Sequence, residues 1–94
     1  MQDKNFELHA FYSGFVQGVF FRATVKHHAD SLNIRGQVRN LPDGRVELIA
    51  VDAKSRLESL LEKIKKYPGA GKIDDISISY LAPSRDFCTF LIVR

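Results

Sequence analysis

Two stretches with apolar residues at helical spacing lie among runs that alternate residue by residue, and few folds accommodate that mixture. Phe21, Val25, His28 or Ala29, and Leu32 recur at intervals of three or four, as do Leu57, Leu60, Leu61 and Ile64. Such spacing makes one apolar stripe along a helix. Arg22, Lys26 and Asp30 fall on the wet side of the first stretch; Lys54, Arg56, Glu58, Glu62, Lys63 and Lys65 fall on that of the second. The second charge run reads as a solvated helix face rather than a binding patch. A helix with a single apolar stripe has to lay it on something, so the alternating runs are required to supply a sheet face.

Those runs are five. Phe6, Leu8, Ala10 and Tyr12 alternate with Glu7, His9, Phe11 and Ser13, which predicts a first strand. Ile34 to Leu41 reads as a second, with Ile34, Gly36, Val38 and Asn40 on one face. Leu41-Pro42-Asp43-Gly44 then forms a hairpin turn, Pro42 presetting the first corner and Asp43 suiting the second. Arg45 to Val51 is apolar on both faces and therefore expected to be central. Ile73 to Leu81 and Phe87 to Val93 supply the fourth and last strands. Asn33 is placed to terminate the first helix; Asp52, or Ser55 with Glu58 as a capping box, to start the second; Pro68-Gly69 to end it. The order is β-α-β-β-α-β with a short extra C-terminal strand. It predicts an α+β fold of ferredoxin-like type, an antiparallel sheet covered on one face by two helices. In that arrangement the first loop and the end of the second strand can lie near each other.

Ninety-four residues suit one domain over 1–94, with residues 1–5 frayed. At 45% hydrophobic and 27% charged the chain reads as an ordinary globular protein, and no apolar run approaches the roughly 18 residues of a membrane span. No signal-peptide core follows the N-terminus, so the expected location is the cytoplasm. Cys88 is the only cysteine, which excludes an intrachain disulfide; among Phe87, Thr89 and Phe90 it is expected to be a buried, inert thiol. A net charge of +3 favours anionic ligands in general but is too small and scattered to argue for nucleic acid.

Between the first strand and the first helix runs Gly14-Phe15-Val16-Gln17-Gly18-Val19-Phe20-Phe21-Arg22. Two glycines let the backbone bend tightly, and a helix start just beyond aims free N–H groups into the bend, which suits an anion. Arg22 adds a permanent charge and a planar fork that can grip two phosphate oxygens. A Walker loop would need Gly-Lys-Ser/Thr, and the spacing of Gly14 and Gly18 is not that of a dinucleotide fingerprint. A plain strand-to-helix turn with a solvated arginine fits the nine residues equally well. Other chemistry is thin. There is no Gly-x-Ser-x-Gly elbow and no His-Glu-x-x-His. His27 and His28 would point about 100° apart on a helix and cannot share a metal; both are expected at the surface. Asp74 and Asp75 begin a strand and face opposite ways. The cradle, Arg22 and Asn40 remain.

Taken together, the motifs resemble those of the acylphosphatases. Gly14 to Arg22 reproduces the family's G-x-V-Q-G-V-x-F-R signature, and Gly36-Gln37-Val38-Arg39-Asn40, followed after three residues by Gly44-Arg45-Val46, resembles its second. The likeness spans essentially the whole chain. Gln37 stands where the family usually has an aromatic residue, and Asp52 where the second signature usually ends in glycine; the first bears on packing, the second on the turn into the second helix. The resemblance implies hydrolysis of acyl phosphates to a carboxylate and inorganic phosphate by in-line attack of water, with no metal and no cofactor. It implies that Arg22 and the backbone N–H groups of Phe15, Val16, Gln17, Gly18, Val19, Phe20 and Phe21 bind the phosphoryl group, and that Asn40 orients the water. The expected partners are a small-molecule acyl phosphate and inorganic phosphate, without nucleic acid or membrane, and the expected state is a monomer. The alternative is a non-catalytic ferredoxin-like module that binds anions or nucleic acid through Phe11, Tyr12, Phe20 and Phe21. A related reading, a carbamoyl-phosphate-handling domain at the front of larger maturation enzymes, sits less well with 94 residues.

Overall fold

The computed structural model describes residues 4–94 as β1 (Asn5–Phe15), α1 (Phe21–Ser31), β2 (Arg35–Asn40), β3 (Val46–Ala53), α2 (Lys54–Lys66), β4 (Lys72–Leu81) and β5 (Phe90–Ile92). Of the N-terminal residues expected to fray, 1–3 lie outside the described residues and Asn5 already belongs to β1. The strands form one sheet in the order β4-β1-β3-β2-β5, so β3 is central, as its apolar faces require.

The alternation in β1 places Leu8, Ala10 and Tyr12 under the helices, where all three are buried. Phe21, Val25 and Ala29 of α1 and Leu57, Leu60 and Ile64 of α2 close over them. Truncating one of these leucines to alanine removes buried surface and leaves a cavity, a loss of about 2–5 kcal/mol. Asn33 terminates α1 from a left-handed conformation (φ 55), its N–H donating to the Asp30 carbonyl at 3.0 Å. The hairpin closes through Leu41 N–H to Arg45 O (2.8 Å) and Gly44 N–H to Leu41 O (3.1 Å), with Asp43 accepting from Arg45 N–H at 3.0 Å.

Several expectations need correcting. The sheet is antiparallel except at its last pair, because β5 runs parallel to β2. The chain leaves β4 at one edge and crosses to the far edge without climbing the sheet, so β5 starts level with the start of β2. That crossing passes over the helix-free face, where Ser84 meets Glu7. β5 itself spans only Phe90–Ile92 of the predicted run 87–93, extended by Thr89 O accepting from Gly36 N–H (3.1 Å) and Val93 N–H donating to Val38 O (2.9 Å); Cys88, before it, is exposed rather than buried. The capping box does not form: α2 starts directly from Ala53 with no side-chain cap. Asp52 Oδ1 instead accepts from Ala53 N–H (2.7 Å) and Arg56 Nε (2.9 Å), and Ser55 already lies inside the first turn. His28 is buried, its Nε2 donating to the Tyr67 carbonyl at 2.8 Å, whereas His27 is exposed.

Candidate active site

β1 breaks its regular pairing with β4 between Ser13 and Gly14, and the chain turns into the loop there. At Gly14 (φ 126) a β-carbon would press on the backbone of Lys72 and Asp74, so only glycine fits. At Gly18 (φ 77) nothing lies within 4 Å of that position, and glycine is required by backbone conformation alone. Phe20, just before α1, is also left-handed (φ 60, ψ 25). Two left-handed residues, Gly18 and Phe20, placed two apart bend the backbone so that N–H groups can turn to one side, as in an anion nest.

Phe15 closes β1 opposite Lys72, and the side chain of Val16 is buried in the core. Among the described residues, none of the N–H groups of Val16, Gln17, Gly18, Val19, Phe20 and Phe21 donates to a protein acceptor. Thr24 holds the end of the bend, its backbone N–H (3.1 Å) and hydroxyl (3.2 Å) both donating to the Phe20 carbonyl. Below it, the rings of Tyr12 and Phe21 meet edge-on at 5.3 Å and lock the end of β1 to the start of α1.

Arg22 sits half-buried in the first turn of α1, which carries no acidic residue. Among the described residues it has no ion-pair or hydrogen-bond partner, whereas Arg39, Arg45 and Arg56 are each paired with a carboxylate. A half-desolvated guanidinium without a counter-charge is a costly arrangement for stability alone.

Asn40 ends β2 opposite Val46, which is itself opposite Tyr12 of β1. Two strand spacings separate Asn40 from Tyr12, roughly 10 Å. Its Oδ1 is buried and has no hydrogen-bond partner among the described residues. The two parts are stitched together by Gln17, whose side-chain amide donates to the carbonyls of Leu41 (2.8 Å) and Arg45 (2.9 Å), the residues flanking the hairpin turn. Gln17 was expected to contribute only its backbone. Its side-chain role spans 24 and 28 residues of sequence, and no local pattern could signal it.

The hairpin is electrostatically settled. The Arg45 backbone N–H and then its guanidinium hold the Asp43 carboxyl below its ordinary range. Burial pushes the Tyr12 phenol up, with Tyr80 adding to the rise. Asp74 and Asp75 are both exposed. No three His, Cys, Asp or Glu side chains among the described residues are grouped so as to hold a metal ion. Grooves of about 440 and 480 Å³ flank β4 and contain neither Arg22 nor Asn40. The arrangement can therefore do one thing well: surround a small oxyanion with amide donors and one cation, beside an amide oxygen still able to accept.

A two-layer α+β sandwich with such a nest on its first loop defines a small anion-binding domain. The particular family follows from comparison with known proteins. The profile of the family described as Acylphosphatase matches residues 8–92. The chain is 44% identical over 82 residues to an acylphosphatase of Listeria welshimeri (86% of this chain, 88% of the relative). It is 40% identical over 83 residues to one of Haloquadratum walsbyi (88% and 89%). The crystal structure of acylphosphatase from Bacillus subtilis superposes with a TM-score of 0.88 at 34% identity, covering 95% of this chain and 99% of that one. The chain belongs to the acylphosphatase family.

Proposed function

We propose that this protein hydrolyses the carboxyl–phosphate bond of acyl phosphates. The observation that carries the reading is the free nest and Arg22, joined through Gln17 to the strand end that holds the unpartnered Asn40 Oδ1. The phosphoryl oxygens take the N–H groups of the nest and the fork of Arg22. Asn40 Oδ1 accepts a hydrogen bond from the attacking water and fixes its lone pair toward phosphorus. The water oxygen bonds to phosphorus, and the bond from phosphorus to the bridging oxygen breaks with its electron pair going to the carboxylate. An acyl phosphate dianion and one water become a carboxylate and a dihydrogen phosphate, both of the water's protons ending on the phosphate. Charge spread over the equatorial oxygens is stabilised by donors already in place. The leaving carboxylate is a stable anion, so no strong general acid is needed, which fits a site that offers none.

On this reading the partners are a small acyl phosphate and inorganic phosphate, with no metal, nucleic acid or membrane, and the enzyme works as a cytoplasmic monomer. No helix among the described residues is long and apolar enough to cross a membrane. Phosphate release from acetyl phosphate and benzoyl phosphate, with p-nitrophenyl phosphate as a monoester control, tests the proposal. Turnover of the acyl phosphates, undiminished after exhaustive chelation, is expected. Hydrolysis of neither, or activity lost on chelation and restored by added magnesium or zinc, would overturn it.

A further inference from the structure

The connection from α2 to β4, residues 67–71, runs beside α1 and meets it at three successive places. At Gly71 a β-carbon would stand 2.8 Å from Cδ1 of Phe21, the first residue of the helix. At Gly69, left-handed (φ 63), it would stand 2.7 Å from Thr24 Oγ1, the hydroxyl that donates to the Phe20 carbonyl and holds the end of the nest. One turn further along α1, the Tyr67 carbonyl accepts from His28 Nε2 at 2.8 Å. The connection is therefore built to lie close against the start of the helix, and a histidine fastens its near end. That histidine is unusual. It is only 7% exposed, and its other ring nitrogen, Nδ1, is buried with no hydrogen-bond partner among the described residues. A buried polar atom left unpaired lowers stability and calls for another reason to be there.

We propose that this connection braces the nest through the start of α1 and that His28 is its catch, a positioning residue that keeps the phosphate site in shape while its ring is neutral and lets it slacken when the ring is protonated. The inference rests on reading the nest as the phosphate site. A neutral ring with its proton on Nε2 closes the catch and leaves Nδ1 a bare lone pair. A second proton, on Nδ1, puts a donor and a charge where no acceptor lies. The surroundings offer no relief. His27 lies beside the ring on α1 (5.8 Å between centroids) and Tyr67 beside it on the connection (6.5 Å). Lys63 of α2 donates to the Ser31 hydroxyl, which donates to the His28 carbonyl. Beneath α1, β2 and β5 bring the apolar Val38 and Phe90. No carboxylate pairs with His28 among the described residues. A protonated ring is relieved by turning toward water, which releases the Tyr67 carbonyl. Gly69 and Gly71 are then no longer held against Thr24 and Phe21, and the end of the nest loses its fixed direction. Imidazole ordinarily takes its second proton between about pH 5 and 8, a range in which arginine and asparagine do not titrate.

The experiment measures the Kd of inorganic phosphate by calorimetry from about pH 8 down to about pH 5.5, with kcat/KM on acetyl phosphate and the unfolding midpoint alongside. The proteins compared are wild type, His28→Gln and Gly69→Ala. Glutamine can still donate to the Tyr67 carbonyl and does not titrate. Protonation of phosphate itself, of His9 and of His27 is common to all of them, so ratios between proteins isolate His28. Wild type and His28→Gln should bind phosphate alike near the upper limit, and at the lower limit wild type should bind about tenfold more weakly, with kcat/KM following. Gly69→Ala tests the brace without touching the histidine: its methyl group displaces Thr24, and phosphate should bind about fivefold more weakly at every pH. A merely structural His28 would lower the midpoint as pH falls and leave the phosphate Kd of the folded molecule alone. A ratio of wild type to His28→Gln that stays constant with pH would overturn the catch, and unchanged phosphate binding in Gly69→Ala would overturn the brace. Either result leaves the acyl-phosphate reading standing while acetyl phosphate is turned over; a wild type that neither binds phosphate nor turns over acetyl phosphate would remove both.

Discussion

The two ends of the sheet hold polar clusters of opposite character. At the end where β1 begins, Glu7 is 1% exposed and every one of its oxygens is used. Oε1 accepts from the Ser84 backbone N–H (2.9 Å) and hydroxyl (3.0 Å), while Oε2 accepts from His9 Nε2, with Arg85 3.9 Å away. At the end where β1 finishes, the six N–H groups of Val16 to Phe21, the Arg22 guanidinium and the Asn40 Oδ1 have no protein partner among the described residues. Buried polar groups are ordinarily paired, because an unpaired one costs about 1–3 kcal/mol. The first cluster thus accounts for itself as structure: it fastens the 82–89 crossing to the sheet. In the second, among the described residues, the Asn40 Oδ1 is a buried group left without a partner, and the exposed or half-buried loop and Arg22 around it are open to a ligand from outside.

The comparison breaks first at Arg22. If the free end is built for a phosphoryl group, Arg22→Ala should lose roughly 10³-fold or more in kcat/KM. Arg22→Lys should recover little of it, since a point charge does not replace two parallel hydrogen bonds. Steady-state kinetics on acetyl phosphate check both. A lysine variant with near-normal activity would show that charge alone matters there.

Asn40 comes next, at roughly 10²-fold, a single positioned polar group. Its part is the water, so Asn40→Ala should lower kcat and kcat/KM together while the inhibition constant of inorganic phosphate moves little. A purely structural Asn40 gives the reverse pattern, a changed unfolding midpoint with turnover per folded molecule within about threefold of wild type, a barrier change below about 1 kcal/mol.

Mutating the satisfied end should affect folding and not catalysis. Glu7→Gln is expected to destabilise by about 1–3 kcal/mol near neutral pH, with turnover per folded molecule unchanged. Burial alone would raise the Glu7 carboxyl; hydrogen bonds from His9 and Ser84 outweigh it and hold the group below its ordinary 4.5. A depressed folded value means that the stabilisation is complete above that ordinary value and is lost as pH falls through the lower one. Denaturant midpoints taken downward from neutrality should therefore show an acid-side loss in the wild type that is smaller in the variant. Equal acid-side losses would detach the stability of this end from Glu7.

Legibility in the sequence divides along the range of the interactions. The nest is written in adjacent residues, where Gly14, Gly18 and Arg22 have conformational or charge properties that few other types share, so it could be read before any coordinates. The hairpin is local in the same way, and the apolar stripes placed both helices on one face. The rest depends on distant partners. Glu7 alternates as an outward residue and is buried only because Ser84, 77 residues later, passes over it. His28 looked exposed until the Tyr67 carbonyl, 39 residues on, reached its ring. The parallel β5 and the exposed Cys88 follow from the path of that same crossing. Asp52 could act as a cap by residue type, yet β3 runs to Ala53 and its side chain goes to Ala53 and Arg56 instead.

Tyr12 sharpens the contrast most finely, because it is an unpartnered polar atom that belongs to neither end. Its hydroxyl is buried without a hydrogen-bond partner among the described residues. Its ring is fully enclosed and packs on Phe21, which opens the helix bearing Arg22. If lack of a partner always marked a ligand site, Tyr12 would join the catalytic set. Its position argues otherwise: the ring lies in the core under the helices, and burial raises the phenol so that it stays neutral. A neutral hydroxyl with no acceptor in reach is then a packing cost carried by a ring that fills its space well. Tyr12→Phe removes the oxygen and keeps the ring, so stability should rise by about 0.5–1 kcal/mol. Turnover on acetyl phosphate should stay within about twofold. Thermal unfolding and kinetics on the same preparation separate the two cases. A clear drop in kcat with unchanged stability would mean that the free end of the sheet reaches through the core to Tyr12, and the boundary drawn between structural and functional polar groups would have to move inward by one layer.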